Sequence, residues 1–263
     1  MTQPVRTARV APETVALETV TADMPALRLL NALAPLDAAD RDRLHQAMAA
    51  ARIVPARHPI LTLGRPMPES QILLQGWAAR VRILPDGRRQ FMSFYLPGDV
   101  IGRVHHAMPV ASATVIALTE CVMCTAPAAP AGSSLAQAYA IGAALDEAYL
   151  LGHVVQLGRL NAQERIGDFL LEIYERLSLA GLTVGGSFEM PLTQEMLADA
   201  LGLTPVHVNR MIQQARRDGD LMWKSGRVLL RDPERTARTI GRLRPQVIGT
   251  PSLDEANGSA NAP

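Results

Sequence analysis

Cysteine is scarce here: Cys121 and Cys124 are the only two in 263 residues. A CxxC can be a redox pair or half of a zinc site, but no second pair exists to complete the zinc site. Its flanks, TECVMCTA, read as a strand, on which positions three apart face opposite ways; two small buried residues is the favoured reading. Lysine is scarcer still, with Lys224 alone, so arginine is simply the cation this sequence uses. No apolar run is long enough to span a bilayer, which argues against a membrane partner. The opening MTQPVRTARVAPETV lacks the apolar core of a secretory signal, so the cytoplasm is the expected location. Also missing are a nucleophile–base pair, a glycine-rich phosphate loop and a metal-ligand set, so an enzyme is not expected. Neither a metal nor a cofactor is called for.

What remains is a balanced globular composition, 48% apolar and 19% charged, long enough for two domains. The net charge of +1 is uninformative taken whole. Its distribution is not: 192–244 holds ten Arg or Lys against six Asp or Glu, a surplus of 4, which leaves −3 for the rest. A basic segment suits contact with phosphates.

That segment contains LTQEMLADALGLTPVHVNRMIQQARR. Thr193 suits an N-cap, with Glu195 in the first turn. Met196, Leu197, Ala200 and Leu201 recur at helical spacing. Gly202 ends the helix, Thr204 caps another, and Pro205 occupies its first position. Val208, Met211 and Ile212 form a buried stripe, leaving His207, Asn209, Arg210, Gln213 and Arg217 outward. An ordinary helical hairpin has the same spacing. In a DNA-binding helix-turn-helix, the second helix enters the major groove, where Arg can fork onto guanine and Asn can pair with adenine.

Along the chain, residues 1–24 form a loosely held lead. Two short helices follow from Pro25, with Leu27, Leu30 and Leu33 on one stripe and Asp37 and Asp40 opening the second. From Ile53 to about Pro127, short apolar runs broken by turn residues predict a β-barrel or sandwich of about seven to eight strands. Asp86-Gly87 between AARVRIL and QFMSFYL is a strong hairpin signal. The span 131–160 reads as one long helix with a stripe through Leu135, Ile141, Leu145, Leu151, Val155 and Leu157. A helix so apolar must bury more than one side; the second side needs a partner, most simply a second copy of this chain. Asn161 and Glu164 nearly form a capping box, ahead of a buried face of Ile166, Phe169, Leu170, Ile173 and Leu177. TVGGSFEMPL reads as a glycine turn between two short strands. DGDLMWKSGRVLLRD reads as a hairpin wing, and DPERTARTIGRLR as a last helix. A disordered tail is expected over 245–263.

Three pieces, LPDGRRQFMSFYLPGDVIG, LGRLNAQERIGDFLLEIYERL and LTQEMLADALGLTPVHVNR, stand in an order that resembles the Crp/Fnr superfamily of bacterial transcription regulators from about residue 25 to 244. The resemblance implies an α+β chain. A jelly-roll, cyclic-nucleotide-binding-like β-barrel would span 25–130, a dimerisation helix 131–160 with Leu145, Leu151 and Val155 at the interface, and a winged helix-turn-helix 161–244. It also implies a homodimer, double-stranded DNA as partner, RNA polymerase as a further partner and a cytoplasmic location.

The family's phosphate cassette supplies a Glu for the ribose and an Arg for the cyclic phosphate. In GDVIGRVHHAMPVASATV these positions are Arg103 and Ala111, the latter ahead of Ser112 and Ala113. Without that Arg no fixed fork neutralises a phosphate, so a response to cyclic AMP is not expected and any effector is unassigned. Members that hold an iron–sulfur cluster use an N-terminal Cys cluster, and the first 120 residues here have no Cys. His105 and His106 raise haem or metal as an option, but read better as loop histidines without ligands nearby. For the DNA-reading helix, the resemblance assigns Arg210 to a base. The usual Glu four residues earlier is Val206, which can touch a thymine methyl but cannot accept from cytosine. Asn209 and Gln213 are the next base-edge candidates. Thr193, Gln194, Thr204, His207, Lys224 and Arg227 suit backbone contacts. The rival reading is a ligand-binding regulatory module acting on a partner protein.

Overall fold

The fold is that of a computed structural model, which describes residues 24–67, 69–103 and 108–247. The expected lead and tail lie almost wholly outside these residues, as do His105 and His106.

Helices α1 (Pro25–Leu33) and α2 (Ala38–Ala49) open the chain. Asp37 caps α2 by accepting from the Asp40 amide at 2.8 Å. Eight strands follow: β1 (Arg52–Val54), β2 (Pro59–Leu61), β3 (Gln71–Gln75), β4 (Ala78–Ile83), β5 (Arg89–Tyr95), β6 (Val100–Ile101), β7 (Thr114–Ala117) and β8 (Cys121–Thr125). They form two four-stranded sheets, ordered β1-β8-β3-β6 and β2-β7-β4-β5. Residues from both sheets, among them Leu73, Met123, Ala78 and Val115, share one apolar cluster. The jelly-roll form is therefore a sandwich of two sheets. The β4–β5 hairpin at Asp86-Gly87 forms as expected.

Cys121 lies in that inter-sheet cluster, whereas Cys124 lies in a second one, beneath α1 and α2. The two thiols face opposite sides of β8, as the strand period requires. Both are free and buried. Burial pushes their pKa values up to about 11 and about 12, so neither is a ready thiolate at neutral pH.

Gly98 has φ +102° in the turn before β6, and a Cβ there would sit 2.6 Å from Leu29 Cδ2 and 2.8 Å from Leu29 Cβ. Gly98→Ala is therefore expected to cost about 1–3 kcal/mol, through strain and overpacking together. A urea unfolding midpoint equal to wild type would contradict this.

After the sandwich comes α3 (Ser134–Arg159), capped by Ser133, and then α4 (Ala162–Leu179). Asn161 and Glu164 complete the capping box, with Asn in the place usually held by Ser or Thr. The remainder is β9 (Ser187–Glu189), α5 (Gln194–Leu201), α6 (Pro205–Arg217), β10 (Leu221–Lys224), β11 (Arg227–Leu230) and α7 (Pro233–Ile240). These strands form a sheet ordered β10-β11-β9. Two expectations change. Only one strand, β9, flanks Gly185-Gly186, where a lone bridge joins Val184 and Ser187. The last helix stops at Ile240, because Gly241 enters the left-handed region at φ 64°. No described helix is long and apolar enough to cross a membrane.

Candidate nucleic-acid interface

The helix-turn-helix is built by local chemistry. Thr193 Oγ1 accepts from the Met196 amide at 3.2 Å, and Thr204 Oγ1 from the His207 amide at 3.2 Å. Gly202 takes φ 63° between the helices. Leu197, Ala198, Ala200 and Leu201 of α5 and Val208 and Ile212 of α6 are buried in one cluster, while Met196 and Met211 are half-buried. Arg165 of α4 fastens the assembly. Its guanidinium donates to the carbonyls of Leu201, Leu160 and Leu157 at 2.8–2.9 Å, joining the ends of α5 and α3.

Val206, Asn209, Arg210 and Gln213 stand at i, i+3, i+4 and i+7 on α6, so they share one face. All four are exposed, Val206 to 79%. Among the described residues the Arg210 side chain makes no hydrogen bond or ion pair, which leaves its fork free. Asn209 Oδ1 lies 3.5 Å from Gln194 Nε2. Thr193, Gln194 and Thr204 are exposed beside this face. His207 departs from the expected outward position: it is half-buried, and its amide is spent on the Thr204 cap. In the wing, Ser225 and Gly226 have φ 51° and 72°, the two positive values of a type I′ hairpin. That turn holds Lys224 and Arg227 out in solvent. The Arg227 pair with Glu189 at 3.3 Å is exposed and adds little.

The degenerate cassette does assemble. Arg103, Ala111 and Ser112 line a cavity of about 530 Å³ between the sandwich and α3, with Arg80, Tyr95 and Asp146. Ala111 is buried. Arg103 reaches across to α3, bonding the Tyr139 carbonyl at 3.1 Å and Asp146 at 3.0 Å. Arg80 bonds the Tyr95 hydroxyl and lies over its ring. Among the described residues, the two guanidiniums that line the cavity thus already bond within the chain, Arg103 through both Nη atoms while its buried Nε has no partner. Among the described residues no group of three His, Cys, Asp or Glu is placed to hold a metal.

On α3, Leu135 and Ala138 are buried and Leu145 is half-buried. Leu151, Val154 and Val155 are exposed, at 62%, 69% and 56%.

Sequence reasoning missed how the reading unit is fastened to the sandwich. Arg176 of α4 is buried and bonds Asp99 at 2.6 Å, the Phe94 carbonyl at 2.8 Å and Glu172 at 2.9 Å. The ring of Tyr149 lies beneath it, 5.1 Å away. Phe94 and Phe169 meet edge-on at 5.3 Å. Arg89 of β5 pairs with Asp199 of α5 at 2.5 Å, and Gln90 donates to the Ala200 carbonyl at 2.8 Å. A signal for Arg176 existed: it lies seven residues after Phe169 and three after Ile173, on the apolar stripe, where a lone charge implies a buried partner.

Comparison with known proteins agrees in both halves. Residues 51–135 match the cyclic nucleotide-binding domain family, and 164–238 match the Crp-like helix-turn-helix domain family. The nitrogen fixation regulation protein FixK of Bradyrhizobium diazoefficiens is 32% identical over 169 residues, covering 62% of this chain and 70% of that one. FixK of Azorhizobium caulinodans is 34% identical over 169 residues, covering 61% and 67%. The structure of FixK2 from Bradyrhizobium japonicum superposes with a TM-score of 0.62 at 26% identity, covering 72% of this chain and 95% of that one. These relatives are regulators rather than enzymes. With the sandwich, the long helix and the winged helix-turn-helix in the same order, the chain belongs to the Crp/Fnr family of DNA-binding transcription regulators.

Proposed function

We propose that the protein is a homodimeric, sequence-specific regulator that acts in the cytoplasm, with RNA polymerase as partner, and reads a two-fold symmetric site without responding to cyclic AMP. The observation that carries this reading is the face of α6, where Arg210 stands unpaired between Val206, Asn209 and Gln213. Polar groups left free on a rigidly capped helix suit base edges. We assign base contacts to these four residues. Backbone contacts fall to Thr193, Gln194, Thr204 and His207 and to Lys224 and Arg227 of the wing. Residues 25–130 form the sensory unit, 131–160 the dimer helix with Leu145, Leu151 and Val155 at its interface, and 161–244 the reading unit. Two recognition helices would then meet the major groove about 34–36 Å apart. Buried Ala111 and the engaged Arg103 support the absence of a cyclic AMP response, since neither offers a fork to a phosphate.

Arg210→Ala should lower specific affinity by about 1–3 kcal/mol and relax one base preference. Selection from random DNA followed by anisotropy titrations measures both. Equal losses on selected and random DNA would make Arg210 a phosphate contact and defeat its assignment.

A further inference from the structure

The chain continues past the helix-turn-helix family match, which ends at residue 238, and its next residues are anchored. Gly241 turns the chain back across α4. Arg242 then inserts, with its side chain only 5% exposed. Its Nη1 donates to the Asp168 carboxylate and, at 3.2 Å, to the Asp168 carbonyl; its Nη2 donates to Glu175 at 2.9 Å. Arg244 adds a bond to Glu175 at 3.0 Å. The second Asp168 oxygen accepts from Nε2 of Gln156 at 3.0 Å. Gln156 belongs to α3 and is buried. One carboxylate therefore joins α3, α4 and the returning strap, at the point where only Leu160 and Asn161 separate the two helices.

We propose that Arg242 is a positioning residue for DNA binding: it fixes the angle at which α4 leaves α3, and through that angle the separation of the two reading units. The inference rests on the dimer reading above. A bend at the α3–α4 junction would carry Asp168, which Arg242 holds on α4, away from Gln156 of α3. It would part the half-buried carboxylate from the buried Gln156 amide, which costs a hydrogen bond. By aiming that carboxylate at Gln156, the strap favours one hinge angle over its neighbours.

The test uses the full chain and duplexes carrying two half-sites of the selected operator, at the selected spacing and with one base pair added or removed. Wild type should discriminate between spacings by about tenfold or more, since bivalent binding fails when geometry forbids simultaneous contact. Arg242→Ala should discriminate by less than about threefold, Arg242→Lys should be intermediate, and binding to a single half-site should stay unchanged in all three. If Arg242→Ala does not fold, the double variant Arg242→Met with Asp168→Asn leaves no orphaned charge and should show the same loss. Wild-type discrimination in a folded variant would overturn the proposal, as would a parallel loss on the single half-site. A wild type that sediments as a monomer and ignores spacing would overturn the dimer reading, and this inference with it.

Discussion

Changing Leu151 and Val155 together to glutamate is expected to yield a folded monomer whose affinity for a two-fold DNA site is lower by about 100-fold or more. The size follows from avidity: a dimer makes its second half-site contact intramolecular, and a monomer does not. The choice of residues follows from α3. Its first turns are covered by α1 and the sandwich, through Leu135 and Ala138. Its later turns expose Leu151, Val154 and Val155 in one apolar row, where a second copy of the helix can lie. Both side chains are solvent-exposed within one chain, so the substitutions should cost the protomer less than about 0.5 kcal/mol. Sedimentation gives the mass, and anisotropy on full and half operators gives the affinities. A double variant that remains dimeric would place the interface elsewhere.

Arg176→Ala is expected to lower stability by about 3–5 kcal/mol, the range for removing one member of a buried charged group. The loss is large because Asp99 and Glu172 stay behind without their cation. Burial already pushes both carboxyls above the ordinary range, with the charge of Arg176 pulling them back. Without it they rise further, and the folded chain then holds protons that the unfolded chain has released. Stability falls with pH wherever the folded state binds more protons. The deficit against wild type should therefore be small near the ordinary carboxylate pKa of about 4 and grow as pH rises through the raised values. Urea unfolding at several pH values measures this. A deficit that is flat, or that shrinks toward neutral pH, would mean that the two carboxyls are not the cause.

The parts of the fold legible in advance are those fixed by local chemistry. Thr193, Gly202, Thr204 and Pro205 each do a job set by their own backbone, so the reading unit could be drawn before any contact was known. Asn161 with Glu164 and the Asp86-Gly87 hairpin are of the same kind. The stripe on α3 was legible as apolar, but a periodic pattern does not say which turns are covered by the same chain. Arg176, Arg89 and Arg242 were not picked out, because their partners lie 77, 110 and 67–74 residues away. Nothing local marks Arg89 or Arg242 for such a bond in a sequence that uses arginine throughout; Arg176 alone carried a cue, its place on the apolar stripe of α4. His207 was misplaced for a smaller reason: helical spacing gives a direction, but not how much of the side chain its surroundings cover. The candidate base-reading face needed only the period of one helix, and its four residues do fall on one side of α6.

The apolar cluster that joins Trp77, Phe91 and Phe94 of the sandwich to Phe169, Leu197 and Leu201 of the reading unit has a consequence for inheritance. Such a reading head is not a detachable cassette. Cut free, each half would show water the surface that the other now covers, and heat should melt both in one cooperative step. A change of size at Phe94 has to be answered at Phe169, so the two halves are bound to vary in step even where their tasks are separate.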